Sequence, residues 1–308
     1  MIDRVRLHRI IAADMARPAR PDAVSAGAAI AARYGRTVAA VLFYGSALRS
    51  GDPGIVDLYV LVDDYRAFHG NILSAAANRL LPPTVQFLPA NADTNIGFKV
   101  AVISRRQFRA RMRPGGIDST LWARFCQSSL PVYCRDEAVR AWLIETLAEA
   151  AKSAVRWAVR FGPAHGRAGD AWTALFRQTY GNELRVETAT RAETIYRAAA
   201  RRFDDLLEIS GVDDMVWNGD GGYRRLIDER KVAAARRAWN RRRLPGKVLN
   251  LVRLAKALFT FVGGVDYIVW KLERHSGQKL MLTPWQRRHP LLATATVLPA
   301  LLRRGIVR

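Results

Sequence analysis

Gly45-Ser46, followed after ten intervening residues by Asp57, is the arrangement in this chain best suited to phosphate chemistry. A glycine lets the backbone approach a phosphate closely, a serine can donate its hydroxyl, and free N–H groups at the start of a following helix attract an anion. A carboxylate such as Asp57, presented beside that turn, is an oxygen ligand suited to magnesium. A second acid two residues further on would lie on the same strand face about 7 Å away, but that position is Tyr59. Neutral tyrosine is no substitute as a magnesium ligand. Asp63 has the right parity, yet six residues of extended chain carry it about 20 Å from Asp57. A second carboxylate must come from elsewhere, and Asp52, Glu183 and Glu187 are the candidates. His8, His165, His275 and His289 have no metal-ligand spacing, and two cysteines, Cys126 and Cys134, make neither a zinc site nor a disulfide framework. Both read as core thiols of a protein in a reducing compartment.

These residues need a scaffold, and the first hundred residues alternate as an α/β unit does. Ala23–Tyr34 is Ala-rich and helical in spacing after Pro21-Asp22, and Thr37–Tyr44 is an apolar run suited to a buried strand that ends at Gly45-Ser46. A turn-forming stretch, Ser50 to Gly54, leads into a second strand over Ile55–Val62. Arg66–Leu80 is predicted helical, and Thr84–Leu88 and Ile96–Ile103 are predicted strands beyond Pro82-Pro83. Long Ala-, Arg- and Leu-rich segments with helical periodicity follow, at 136–160, 168–180 and 189–209. Trp172, Phe176 and Tyr180 recur at four-residue spacing and read as a helix's core stripe. The expected fold class is α+β: a mixed sheet with flanking helices over 1–135, a mostly helical second domain over 136–222, and a basic amphipathic helical tail over 223–308.

The chain is half apolar and carries a net charge of +22 over 308 residues, which excludes a disordered basic tail and implies a charged surface on a folded core. The charge is uneven. Residues 1–220 hold 29 basic and 23 acidic side chains, whereas 221–308 hold 20 basic and 4 acidic, a net of +16. That region is expected to face nucleic acid, an anionic membrane surface or an acidic small substrate. Lys231–Leu244 and Lys247–Phe261 interleave basic with apolar residues at helical spacing, as a helix lying in a headgroup zone does. The N-terminus carries Asp3, Arg4, Arg6, Arg9 and Asp14 before any apolar run, so no secretory signal is read, and Arg253, Lys256 and Asp266 interrupt the apolar stretch Val248–Trp270. The expected location is cytoplasmic, peripherally associated with the inner face of the membrane.

The segment from Val41 to His69 resembles the core of the nucleotidyltransferase superfamily: strand, Gly-Ser, helix, then a strand with an Asp near its start. The single acid narrows the resemblance. The sequence is similar to the mitochondrial-type phosphatidate cytidylyltransferase family, the translocator assembly and maintenance proteins. The matching residues are Tyr44-Gly45-Ser46, Val56-Asp57-Leu58-Tyr59-Val60, Val62-Asp63-Asp64, and His69 with Asn71. Gly97–Ser104 resembles the family's Lys-bearing strand, Leu121–Val132 its segment ending in Pro-Val, and Thr179–Arg185 its Tyr-x-Gly-Asp-x-Arg element. Asn182 stands where the family favours Asp, and Ser129-Leu130 precedes Pro131 without the usual basic residue. The resemblance covers about residues 40–210.

It implies transfer of a cytidylyl group from CTP to phosphatidate, giving CDP-diacylglycerol and pyrophosphate, with Mg2+ as cofactor. The site residues would be Asp57 and Glu183 for the metal, Tyr44, Gly45 and Ser46 for the nucleotide, and Lys99, His69 and Arg185 around the reacting phosphates. The attacking lipid phosphate is already largely ionised, its second pKa being about 6, so alignment and charge neutralisation matter more than a strong base. Partners would be CTP, phosphatidate and an anionic membrane surface, with nucleic acid disfavoured because the tail holds no RNA module. The competing readings are an RNA-directed or small-molecule nucleotidyltransferase and a catalytically inactive membrane-binding relative.

Overall fold

The computed structural model describes residues 3–50, 56–88, 98–113, 119–180, 188–209, 214–260 and 283–288. Two helices lead in: α1 (Arg4–Met15), capped by the Asp3 carboxylate accepting from the Arg6 N–H at 2.9 Å, and α2 (Pro21–Tyr34), with Pro21 in its first turn. Strand β1 (Val38–Tyr44) follows, and all seven of its residues are buried. A run apolar on both faces is what a central strand with covered faces requires. Gly45 turns the chain into α3 (Ser46–Ser50), and β2 (Val56–Val62) returns antiparallel to β1.

The region expected as one helix over Arg66–Leu80 is two: α4 (Tyr65–His69) and α5 (Ile72–Leu80). Gly70, at φ 63°, ends the first in the left-handed conformation, and Asn71 caps the second by accepting from the N–H groups of Leu73 and Ser74 at 2.8 and 3.1 Å. Such a cap stabilises a helix by about 1 kcal/mol, enough to fix the break where a Gly-Asn pair offers both signals. Next come β3 (Thr84–Leu88), β4 (Phe98–Ser104), α6 (Arg105–Ala110), α7 (Thr120–Phe125) and β5 (Leu130–Cys134). The five strands form one mixed sheet in the order β3-β4-β2-β1-β5, with β2 and β4 parallel and the other neighbours antiparallel.

The predominantly helical part then runs through α8 (Glu137–Phe161), β6 (His165–Arg167), α9 (Ala168–Tyr180), α10 (Thr188–Arg197) and α11 (Ala200–Ile209). The predicted helix at 189–209 is therefore divided. Two short strands, β7 (Met215–Trp217) and β8 (Gly222–Arg225), join β6 in a small antiparallel sheet, order β6-β8-β7, where the sequence suggested only a polar break. Strands of three or four residues cannot display a period, and it is Tyr223, buried and donating its hydroxyl to the Pro163 carbonyl at 3.0 Å, that anchors them. The long α12 (Glu229–Thr260) and a helical turn at Pro284–Arg288 complete the described chain.

The helices divide between the two faces of the large sheet. Val41, Phe43, Leu58, Val60, Val100 and Val102 pack beneath residues of α2, α4 and α5. On the other face, Leu42, Tyr44, Tyr59, Leu61, Ala101 and Ile103 share one continuous core with α1, α7, α8, α9, α10 and α11. Trp172 and Phe176 are fully buried there, as the four-residue stripe predicts, and the Trp172 indole donates to the Phe203 carbonyl at 2.8 Å. Cys126 is buried and Cys134 half-buried, both as free thiols. Helix α12 lays Val232 and Trp239 inward, Trp239 against Trp122, Trp157 and Phe161, while Arg230, Lys231, Arg236, Arg237 and Arg241 face solvent. Further along, Lys256 donates to the Leu81 carbonyl at 2.6 Å and the Thr84 hydroxyl at 2.9 Å. Among the described residues, no helix is long and apolar enough to cross a membrane.

Candidate functional site

Strand direction gathers the site. Because β1 is antiparallel to β2 and β2 is parallel to β4, the end of β1 and the starts of β2 and β4 meet at one edge of the sheet, where Tyr44 pairs with Asp57 and Asp57 with Lys99. Asp57 and Lys99 share the parity of Tyr59 and Ala101, so both project on the face covered by α7 to α11. The Lys99 ammonium lies 3.3 Å from the Asp57 carboxylate, with the two side chains 34% and 21% exposed. Gly45 is required at the adjoining turn for two reasons. Its φ is +95°, and a Cβ there would fall 2.9 Å from Asp57 Oδ2. The exposed Ser46 opens α3, but five residues give that helix little aligned dipole, so the anion-attracting helix start expected from sequence is not formed on that scale.

Cations from three helices surround this edge. From α7, the Arg124 guanidinium sits over the Tyr44 ring, 5.5 Å from its centroid, and from α10, Arg191 sits over Tyr180 at 5.6 Å. Arg49, from α3, donates to Gln127 Oε1 at 2.9 Å, and the Gln127 amide donates in turn to the Tyr180 hydroxyl at 2.6 Å and the Ala123 carbonyl at 3.0 Å. Burial lowers the Arg49 pKa, and the like charges of Arg191 and Arg124 act in the same direction, opposed by the carboxylate of Asp57. Burial, then the charge of Asp57, raises the Tyr44 hydroxyl well above its ordinary value, so it stays a neutral donor. The turn carrying Gln127 is itself fixed from below: Arg202 is ion-paired with Asp14 and donates to the Cys126 carbonyl at 2.6 Å, and Ser128 donates to Asp14 at 3.3 Å.

Of the residues singled out from sequence, Tyr44, Gly45, Ser46, Asp57 and Lys99 come together at this edge. His69 is elsewhere: the chain leaves β2 at the end opposite Asp57 before reaching it, and its Nε2 lies 3.0 Å from the Asn78 amide nitrogen. Burial and the nearby Lys256 ammonium lower its pKa. Nor is Asp63 oriented by His69, since Arg105 and Arg135 hold it at 2.5 and 2.6 Å. Glu183 and Arg185, like Asp52, Asn182 and Glu187, lie outside the described residues. Sequence reasoning did not single out Arg49, Arg191, Arg124 or Gln127, though the last two lie in the segment Leu121–Val132, and it placed Tyr180 both in a core stripe and in the element Thr179–Arg185. Only Arg49 carried a local signal, three residues after Ser46.

Of Asp57, Asp52, Glu183 and Glu187, the carboxylates expected to ligate magnesium, Asp57 alone is among the described residues. No three His, Cys, Asp or Glu side chains among them are gathered into a metal-binding group, and the carboxylate at this edge is paired with an ammonium rather than a second acid. Among the described residues, the arrangement offers one carboxylate, a close-approach glycine, an exposed hydroxyl and four cationic side chains from separate elements. That is a cradle for a polyanion.

No protein-family model matches the chain, and no curated protein matches it. The solved structure of a nucleotidyltransferase-like protein from Exiguobacterium sibiricum is similar over 92% of this chain and 92% of its own, at 11% identity and a TM-score of 0.27.

Proposed function

We propose that the protein is a nucleotidyltransferase, binding a nucleoside triphosphate at the Tyr44–Asp57–Lys99 edge and passing its nucleotidyl group to an acceptor with release of pyrophosphate. The observation that carries this reading is the apposition of Gly45 and Asp57: a positive-φ glycine whose missing side chain leaves room for the carboxylate on the neighbouring strand, with Lys99 beside it. Phosphoryl-group chemistry of this kind asks the protein mainly for positioning and charge stabilisation. Here Lys99, Arg49, Arg124 and Arg191 would neutralise the triphosphate, the Gly45 backbone would let it approach, and the neutral Tyr44 and Ser46 hydroxyls would donate to its oxygens.

The finer reading takes CTP as donor and phosphatidate as acceptor, and it rests on the family resemblance of residues 40–210. Chemistry favours a phosphate monoester acceptor on one point. Such a nucleophile is ionised at neutral pH, with a second pKa of about 6, and the described edge offers no histidine as a base, His69 lying beyond the opposite end of β2. Docking to an anionic membrane would use the outward basic face of α12, electrostatically, because Val232 and Trp239 are committed to the protein core. The test is incubation with labelled CTP, magnesium and phosphatidate vesicles: labelled CDP-diacylglycerol is expected, and CMP incorporation into RNA without lipid product would overturn the acceptor.

A second reading, a nucleotide-binding relative without transferase activity, is favoured by Tyr59. Its ring is 1% exposed and packs against Tyr44 and Phe125, so position 59 is built as core and not as a ligand.

A further inference from the structure

Three helices converge on one buried amide behind the candidate edge. Gln127, 5% exposed in the turn between α7 and β5, accepts at Oε1 from Arg49 of α3 at 2.9 Å. Its Nε2 donates to the Ala123 carbonyl of α7 at 3.0 Å and to the Tyr180 hydroxyl of α9 at 2.6 Å. A carbonyl can only accept, so Ala123 decides which end of the amide carries the nitrogen, and the oxygen must then face Arg49. Tyr180 is held in turn, packed against Phe176 and lying beneath the Arg191 guanidinium. The turn that bears Gln127 is tied down by Arg202, which donates to the Cys126 carbonyl at 2.6 Å, and by Ser128, which donates to Asp14 at 3.3 Å.

What this frame holds is the cation closest in sequence to the Gly45-Ser46 turn. Arg49 sits three residues after Ser46, in a helix of only five. So short a helix gives a long side chain little support, and an arginine left to itself spreads over many rotamers. Gln127 selects one of them. Its amide is neutral, so the bond orients the guanidinium without cancelling its charge, at a distance where the Asp57 carboxylate acts on it.

We infer that Gln127 is a positioning residue: it presents Arg49 to the triphosphate and acts on the nucleotide through that side chain, with Tyr180 holding the amide in register. The inference rests on the nucleotidyltransferase reading and adds to it a residue that itself touches no substrate.

A double-mutant cycle read as nucleotide affinity separates this role from a merely structural one. Calorimetric titration of the full chain with CTP and with ATP, in magnesium chloride, is made on the parent, Arg49→Met, Gln127→Met and the double variant, with thermal melting to confirm folding. Arg49→Met should weaken binding roughly tenfold or more, and Gln127→Met about three- to tenfold. The double variant should bind within about twofold of Arg49→Met alone, because Gln127 has nothing left to position once the guanidinium is gone. Tyr180→Phe removes only the hydroxyl and keeps the ring under Arg191. It should weaken binding about two- to threefold in the parent and not at all in Arg49→Met, and it carries the cycle where Gln127→Met does not fold. Losses that multiply with that of Arg49→Met, or binding by Gln127→Met or Arg49→Met as tight as the parent's, would overturn the inference while leaving the nucleotidyltransferase reading intact. Failure of the parent to bind either nucleotide would overturn both.

Discussion

Gly45→Ala is the substitution whose consequences follow most directly from the geometry. At φ +95° an L-residue costs about 1–2 kcal/mol in backbone terms, and the new Cβ would stand 2.9 Å from Asp57 Oδ2, so the carboxylate must move. Moving it loosens the Lys99 pair, which at 34% and 21% exposure contributes no more than about 1 kcal/mol. The sum is a destabilisation of roughly 1–3 kcal/mol. Gly70→Ala is the matched control. Its φ is +63°, and a Cβ there meets nothing within 4 Å, so it incurs the backbone cost of about 1–2 kcal/mol alone. Denaturant unfolding followed by circular dichroism gives both stabilities, and CTP titration gives both affinities. Gly45→Ala should lose roughly ten- to a hundredfold in affinity, the worth of a charge-assisted hydrogen bond or the close approach that allows it. Gly70→Ala should bind as the parent does. Equal affinities for the two variants would refute the argument that Gly45 exists to admit a phosphate beside Asp57.

Further consequences are open to simpler measurements. Burial pushes the Lys256 pKa down to about 8 from an ordinary 10.5, so between those values the unfolded chain holds more protons and stability should rise with pH; denaturation at several pH values should show this positive slope in the parent and its loss in Lys256→Gln. Burial pushes the Cys126 thiol up to about 12 and raises Cys134 as well, so a thiol reagent at pH 8 should label the native protein far more slowly than the unfolded one; rapid native labelling would contradict the packing of α7 and β5. Removing residues 245–308 should weaken co-sedimentation with anionic liposomes more than it weakens CTP binding. Equal loss of both would place the tail within the folded core, where the Lys256 contacts with Leu81 and Thr84 already tie part of it.

The parts of the fold legible in the sequence were those determined by neighbours along the chain. Val38–Tyr44 and Val56–Val62 are apolar runs bounded by glycine and polar turns, and the Gly45-Ser46 break and Asp57 fall where those runs end. Lys99 was reached through the resemblance of Gly97–Ser104 to a Lys-bearing strand, and it lies in β4 beside Asp57. The division of α4 from α5 was written in Gly70-Asn71, but a helical period running across the pair concealed it. The cationic wall was not legible. Arg124 and Arg191 lie far from the Gly45 turn in sequence, among 42 arginines, and only the packing of α7 and α10 over the sheet selects them. Tyr180 shows how one residue can satisfy two accounts: it packs against Phe176 as the core stripe predicts, and its hydroxyl also holds Gln127 and thereby Arg49.

Nucleotidyl transfer at the Asp57–Lys99 edge is tested most directly by pyrophosphate release from CTP in the presence of phosphatidate vesicles, compared between the parent protein, Asp57→Asn and Lys99→Ala. The account predicts acceptor-dependent release by the parent and its loss in both variants, with each still folded by circular dichroism. Release that persists unchanged in Asp57→Asn would contradict it.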